Sequence, residues 1–159
     1  IHDMAQWLLA QMGHRPDVLT PDVLADVQTP LVPTPDQLHG ASWRRERLSS
    51  ASYATGWRIF NYAGHTLVFH GGAVQGYRSE IAFLPDRDIG AVILWNSESA
   101  APSGLMPTII DRALGLPLVR GRAFTRSDDS AGGRVVMITE TLAERDYRGV
   151  DSMSALRAD

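Results

Sequence analysis

VFHGGAVQGYRSEIAFLPDRDIGAVILW, residues 68–95, holds three apolar runs separated by turn chemistry. The first is a strand over His65–His70, which Gly71-Gly72 and Gly76 interrupt; the pattern resumes over Tyr77–Leu84. Pro85-Asp86-Arg87-Asp88 then reads as a turn into a third strand, Ile89–Trp95. Connections this short cannot hold crossover helices, so the strands form an antiparallel meander. Working backwards, Tyr53–Phe60 reads as a strand and Asn61–Gly64 as the turn into His65. The expected class is α+β, an antiparallel sheet of about three to five strands with flanking helices.

The flanks supply the helices. Met4, Trp7, Leu8 and Met12 share a face over residues 3–12, with Gly13 as a stop. Thr20 and Pro21 open a second helix over 20–29, and Pro30, Pro33 and Pro35 force an extended passage after it. Residues 36–52 are polar and weakly patterned, which reads as a loop with room for one short helix. After the meander, Leu105, Ile109, Ile110, Ala113 and Leu114 mark a helix over 102–115 laid on the sheet. Residues 1–117 are thus the expected folded unit. The extension 118–159 has linker composition over Ser127–Gly133 and one apolar cluster, Val135–Ile138, which suits either an added edge strand at 134–139 or a poorly ordered tail.

Composition excludes several functions. A net charge of −3 across 159 residues leaves no basic stripe for nucleic acid. Absence of Cys removes disulfides and thiolate metal sites, and His2, His14, His39 and His65 lack ligand spacing, so no metal or cofactor is expected. The run Ala91–Trp95 is far short of a membrane span. All 15 basic residues are Arg, so no lysine amine is available for catalysis.

His70-Gly71-Gly72-Ala73 is the candidate functional element, because glycines let a substrate lie against the backbone. An HGGG-like loop of an α/β-hydrolase would need a G-x-S-x-G elbow; Gly40-Ala41-Ser42-Trp43-Arg44 lacks the second glycine, and hairpins are the wrong connectivity. From Asp3 to Leu116 the chain instead resembles the penicillin-recognising serine hydrolases: class C β-lactamases, D,D-peptidases, D-aminopeptidases and β-lactamase-like esterases. The resemblance rests on Val68–Trp95 with Asn96, on DMAQWLLAQM (residues 3–12), and on Tyr53-Ala54-Thr55-Gly56-Trp57.

The resemblance implies a partial β-lactamase/transpeptidase-like fold and an acyl-enzyme hydrolysis of an ester, amide or β-lactam. The family's nucleophile is the Ser of S-x-x-K, with a Tyr from Y-x-N or Y-x-S as a second proton carrier. Without Lys the first motif cannot occur here, and the one match to the second, Tyr77-Arg78-Ser79, lies in the wrong strand. No catalytic residue is therefore assigned within this chain, which is expected to be the C-terminal part of such a hydrolase. By resemblance, His70 occupies the first position of the K-T-G or H-x-G triplet and Gly71 and Gly72 the next two. Ala73 matches the residue whose N–H completes the oxyanion hole. Ordinary imidazole is only partly charged at neutral pH, so His70 in place of Lys favours ester or peptide substrates over β-lactams.

Blander roles stand beside these. His70 could cap a strand, Tyr77 could pack on the sheet instead of lining a substrate groove, and Arg44, Arg45 and Arg47 could be a solvated loop instead of an anion site. Ser42, Ser49, Ser50 and Ser52 have no neighbouring base. A second reading of the whole is a non-catalytic structural or binding module. The expected partners are the N-terminal part of the same hydrolase or a second copy, since an uncompleted sheet exposes an edge. The family resemblance suggests a bacterial protein of periplasm or cytoplasm.

Overall fold

The computed structural model describes residues 1–117 and the backbone of 135–138. Two helices come first, α1 (His2–Gln11) and α2 (Pro21–Gln28), the latter opened by Pro21 at its first position. Gly13, at φ 88°, ends the first of these. A two-residue strand, β1 (Val32–Pro33), leads through a single 3-10 turn, Pro35–His39, to α3 (Ser42–Arg47). The meander follows as β2 (Leu48–Tyr53), β3 (Arg58–Tyr62), β4 (His65–Val74), β5 (Tyr77–Leu84) and β6 (Ile89–Trp95). Then come α4 (Ala101–Ala113) and β7 (Val135–Ile138). The sheet has seven antiparallel strands in chain order, β7 lying on β6 through Leu94↔Val135 to Ala91↔Ile138.

Three readings need correction. The strand expected over Tyr53–Phe60 is two strands, with a turn at residues 54–57 where Gly56 takes φ 86°. The loop expected over 36–52 carries the short helix it had room for, α3, but its end, residues 48–52, belongs to β2; Ser49 and Ser50 are exposed, which hides the strand period that only Leu48 and Ala51 carry. Gly71 and Gly72 do not break β4, because β5 continues the ladder opposite them, Gly71↔Glu80 and Gly72↔Ser79. The interruption falls at Gln75-Gly76, where Gly76 has φ 79°. With these changes the strand count exceeds the three to five expected.

The sheet is covered on both faces. On one, α1 brings Leu8, with Met4 and Met12, against Trp57, Ile59, Val68, Phe83 and Val92. Contact is closest at Gly90, where a Cβ would stand 3.0 Å from both Leu8 methyls and from Met12 Sδ. On the other, Trp43 of α3 and Met106 and Ile110 of α4 pack on Phe60, Tyr62, Leu67, Phe69 and Ile93. That layer carries one buried polar lock. Arg47 donates through Nε and Nη2 to the two carboxylate oxygens of Asp111, at 2.9 and 3.1 Å, and Nη2 also reaches the Pro117 carbonyl. Tyr62 O–H donates to Asp111 Oδ1 at 2.6 Å, and burial with that bond holds the phenol protonated. No described helix is long and apolar enough to cross a membrane.

Candidate substrate-binding strand

The ladder between β3 and β4 begins in the hairpin at Tyr62↔His65 and ends at Arg58↔Phe69. Beyond it, His70–Val74 continue for five residues with β5, among the described residues, on one side only. Leu67, Val68 and Phe69 are buried, His70 is half-buried, and Gly71 to Val74 are exposed. This leaves backbone donors and acceptors along one strand edge open to a ligand, the arrangement used in strand-addition recognition.

His70 sits where the open edge starts. Its Nε2 lies 3.2 Å from Tyr53 Oη, a hydrogen bond whose donor depends on the imidazole tautomer. The two rings meet edge to face with centroids 6.3 Å apart. Arg58 in turn places its guanidinium 5.5 Å from the Tyr53 ring centroid. Tyr53 thus touches both a cation and an imidazole, and it reaches His70 past the end of the shorter β3.

A sequence model of the Beta-lactamase family matches residues 1–114. The chain belongs to the beta-lactamase family. It is 29% identical over 119 residues to an unguisins hydrolase (ungD') of Aspergillus campestris, covering 72% of this chain and 21% of that protein. It is 31% identical over 104 residues to an unguisins hydrolase (ungD) of Aspergillus violaceofuscus, covering 62% of this chain and 17% of that protein. The chain spans about a fifth of the length of these curated relatives. No solved structure matches.

Within this beta-lactamase-family chain, the residues singled out by the sequence divide. His70, Gly71, Gly72 and Ala73 fall together on the open half of β4, and Tyr77, across the hairpin from Val74, is 59% exposed there. The three arginines of α3 do not act together. Arg47 binds Asp111, Arg45 donates to the Gly40 carbonyl at 2.7 Å, and Arg44 lies over Trp43 and Phe60 at 5.1 and 5.6 Å. His14 and His65 pair with Asp88 at 2.6 Å and Asp86 at 2.5 Å, pinning the β5–β6 turn. No group of three or more potential metal ligands occurs among the described residues.

Two residues escaped the sequence reading. Tyr53 figured as the start of an expected strand and as part of a five-residue resemblance, not as a partner of His70, and its contact with His70 depends on β3 being shorter than β4. Glu80 stands directly opposite Gly71 and is only 8% exposed. Ser103 Oγ, in the first turn of α4, donates to Glu80 Oε1 at 2.9 Å. Burial raises the carboxyl above the usual Glu range, partly offset by that hydrogen bond and by the Arg44 charge. The signal available was a lone acid in an otherwise apolar strand run, Glu80-Ile81-Ala82-Phe83. It backs the glycine segment from the α4 side.

Proposed function

We propose that this chain supplies the substrate-binding strand of a serine acyl hydrolase, acting on an ester or amide carbonyl through an acyl-enzyme. The observation that carries the reading is the half-open β4: a family strand with H-G-G-A where, among the described residues, its edge has no neighbour. A carbonyl laid along that edge would receive the Ala73 N–H, one of the two donors an oxyanion hole requires. His70, oriented by Tyr53, would hydrogen-bond the polar end of the substrate or the proton carrier beside it. Gly71 and Gly72 have no side chains to hold the substrate off the backbone. The nucleophile, its lysine and the tyrosine would come from another segment of the complete protein, since these residues contain no Lys.

The test is Ala73→Pro in the complete protein, which deletes that N–H at an exposed strand position. With folding verified by circular dichroism, kcat for a p-nitrophenyl ester should fall about 100- to 1,000-fold, the usual effect of one oxyanion donor. Unchanged turnover would remove Ala73 from the mechanism. Faster hydrolysis of a cephalosporin than of the ester by the unaltered protein would reverse the substrate assignment. The 159-residue chain alone should hydrolyse neither and should associate with the rest of the hydrolase or with itself in light scattering.

A further inference from the structure

We propose that Glu98 is a positioning residue: from the segment between β6 and α4 it holds the tip of the β4–β5 hairpin and so keeps the Ala73 N–H in place for a substrate carbonyl. This rests on the reading of β4 as the substrate-binding strand. The tip projects past both of its neighbours. The β3 ladder ends opposite Phe69, and β6 ends at Trp95, opposite Arg78, so among the described residues Val74 and Tyr77 have only each other as ladder partners. A two-stranded ribbon is marginally stable by itself in water, and this one carries Ala73 one residue from its end. Gly76 takes φ 79° in the turn, and its N–H, which lies outside the ladder, donates to Glu98 Oε1 at 3.0 Å across 22 residues of sequence.

Glu98 is itself anchored. Ser97 Oγ accepts from the Ser99 N–H at 3.3 Å and Ser99 Oγ from the Ala101 N–H at 3.2 Å, short side-chain turns that fix the path from β6 into α4. That helix is seated in the core through Pro102, Met106 and Ile110. Ser103, in its first turn, bonds Glu80 on β5 at 2.9 Å, opposite Gly71. Residues 97–103 therefore hold the hairpin at two points, at its tip and behind its glycines. Arg78 also binds the tip, its Nη1 donating to the carbonyls of Val74 at 3.0 Å and Tyr77 at 2.8 Å, but those bonds lie within the hairpin and move with it. The Glu98 bond alone of these ties the turn to α4. A tip free to swing displaces the Ala73 donor, and misplacement of a group that acts on the transition state lowers turnover more than ground-state binding.

Substitutions at Glu98 separate reach from charge. Glu98→Gln keeps an acceptor oxygen at the same reach, whereas Glu98→Asp keeps the carboxyl group one methylene short. In the complete protein, kcat for a p-nitrophenyl ester should fall about tenfold in Glu98→Asp and Glu98→Ala with KM within about twofold, and Glu98→Gln should stay within about twofold of the parent. In the ¹⁵N-labelled 159-residue chain, the amides of Val74, Gly76 and Tyr77 should exchange with solvent about fivefold or more faster in Glu98→Ala, while that of Phe69 keeps its rate. Unchanged exchange at the hairpin would overturn the assignment. So would faster exchange with unchanged kcat, or Glu98→Asp matching the parent while Glu98→Gln loses activity. Faster exchange in the variant, together with no ester turnover by the unaltered complete protein, would instead overturn the hydrolase reading and leave Glu98 as the residue that holds the strand.

Discussion

The two halves of β4 share one strand and differ in almost everything else. Leu67, Val68 and Phe69 have strands on both sides and helices on both faces; His70 to Val74 have a strand on one side and stand mostly in water. Alternation does not distinguish them, since a strand paired on both edges and one paired on a single edge have the same period. The difference comes from β3 being five residues long against ten for β4. A short neighbour produces a platform that is rigid at its root and accessible at its end, and His70, Gly71, Gly72 and Ala73 fall on the accessible part.

The sharpest way to break this comparison is to alter adjacent residues on either side of the boundary. Phe69 is 4% exposed, stacks on Phe60 at 5.8 Å and meets Trp43 edge to face at 6.4 Å. Phe69→Ala should destabilise the chain by about 3–5 kcal/mol, through lost transfer energy and a residual cavity. His70→Ala, one residue on, should change stability by about 1 kcal/mol or less, because it removes one part-buried hydrogen bond. Urea unfolding of the two variants measures both. Similar losses would mean that the rigid and open halves are one energetic unit.

Legibility in the sequence follows the same boundary. Residues 65–95 were readable because turn-forming Asn61, Gly64, Gly76 and Pro85 punctuate runs of apolar alternation. β2 was not, because Ser49 and Ser50 face solvent and a register shift between Leu48 and Ser50 breaks the period of two. The H-G-G-A element was visible as glycine chemistry, yet its openness was not, since that is set by where β3 starts. Tyr53 and His70 lie 17 residues apart, and only the ladder brings them together. Nothing in the helix pattern marks Asp111 as buried; Arg47 and Tyr62, 64 and 49 residues away, meet it in the core.

Glu80 sharpens the comparison from behind, as the buried acid opposite Gly71. Its carboxyl titrates above the usual Glu range in the folded chain, so folding binds the proton more tightly than the unfolded chain does. The stabilising contribution is therefore complete below the ordinary Glu pKa and disappears as pH rises through the raised folded value. Glu80→Gln cannot ionise and can still accept from Ser103. The variant should lose that decline and be the more stable protein at neutral pH, by thermal melts taken at intervals from pH 4 to 8. Parallel melting curves for parent and variant across the range would show that the carboxyl is not desolvated as described.

An effect as small as that of His70→Ala is expected at Tyr53, whose hydroxyl marks the boundary itself. Tyr53→Phe keeps the ring against Arg58 and His70 but removes the oxygen 3.2 Å from His70 Nε2. Stability should drop by about 0.5–1.5 kcal/mol, the net worth of one such bond. The more telling readout is the imidazole, because a hydrogen-bond partner selects which ring nitrogen carries the proton. The ring ¹⁵N shifts of one histidine should move while the other histidines, paired with Asp86 and Asp88 or exposed, keep theirs. A loss of stability without any change in those shifts would make Tyr53 a packing residue, and His70 would then enter the open half with no built-in orientation.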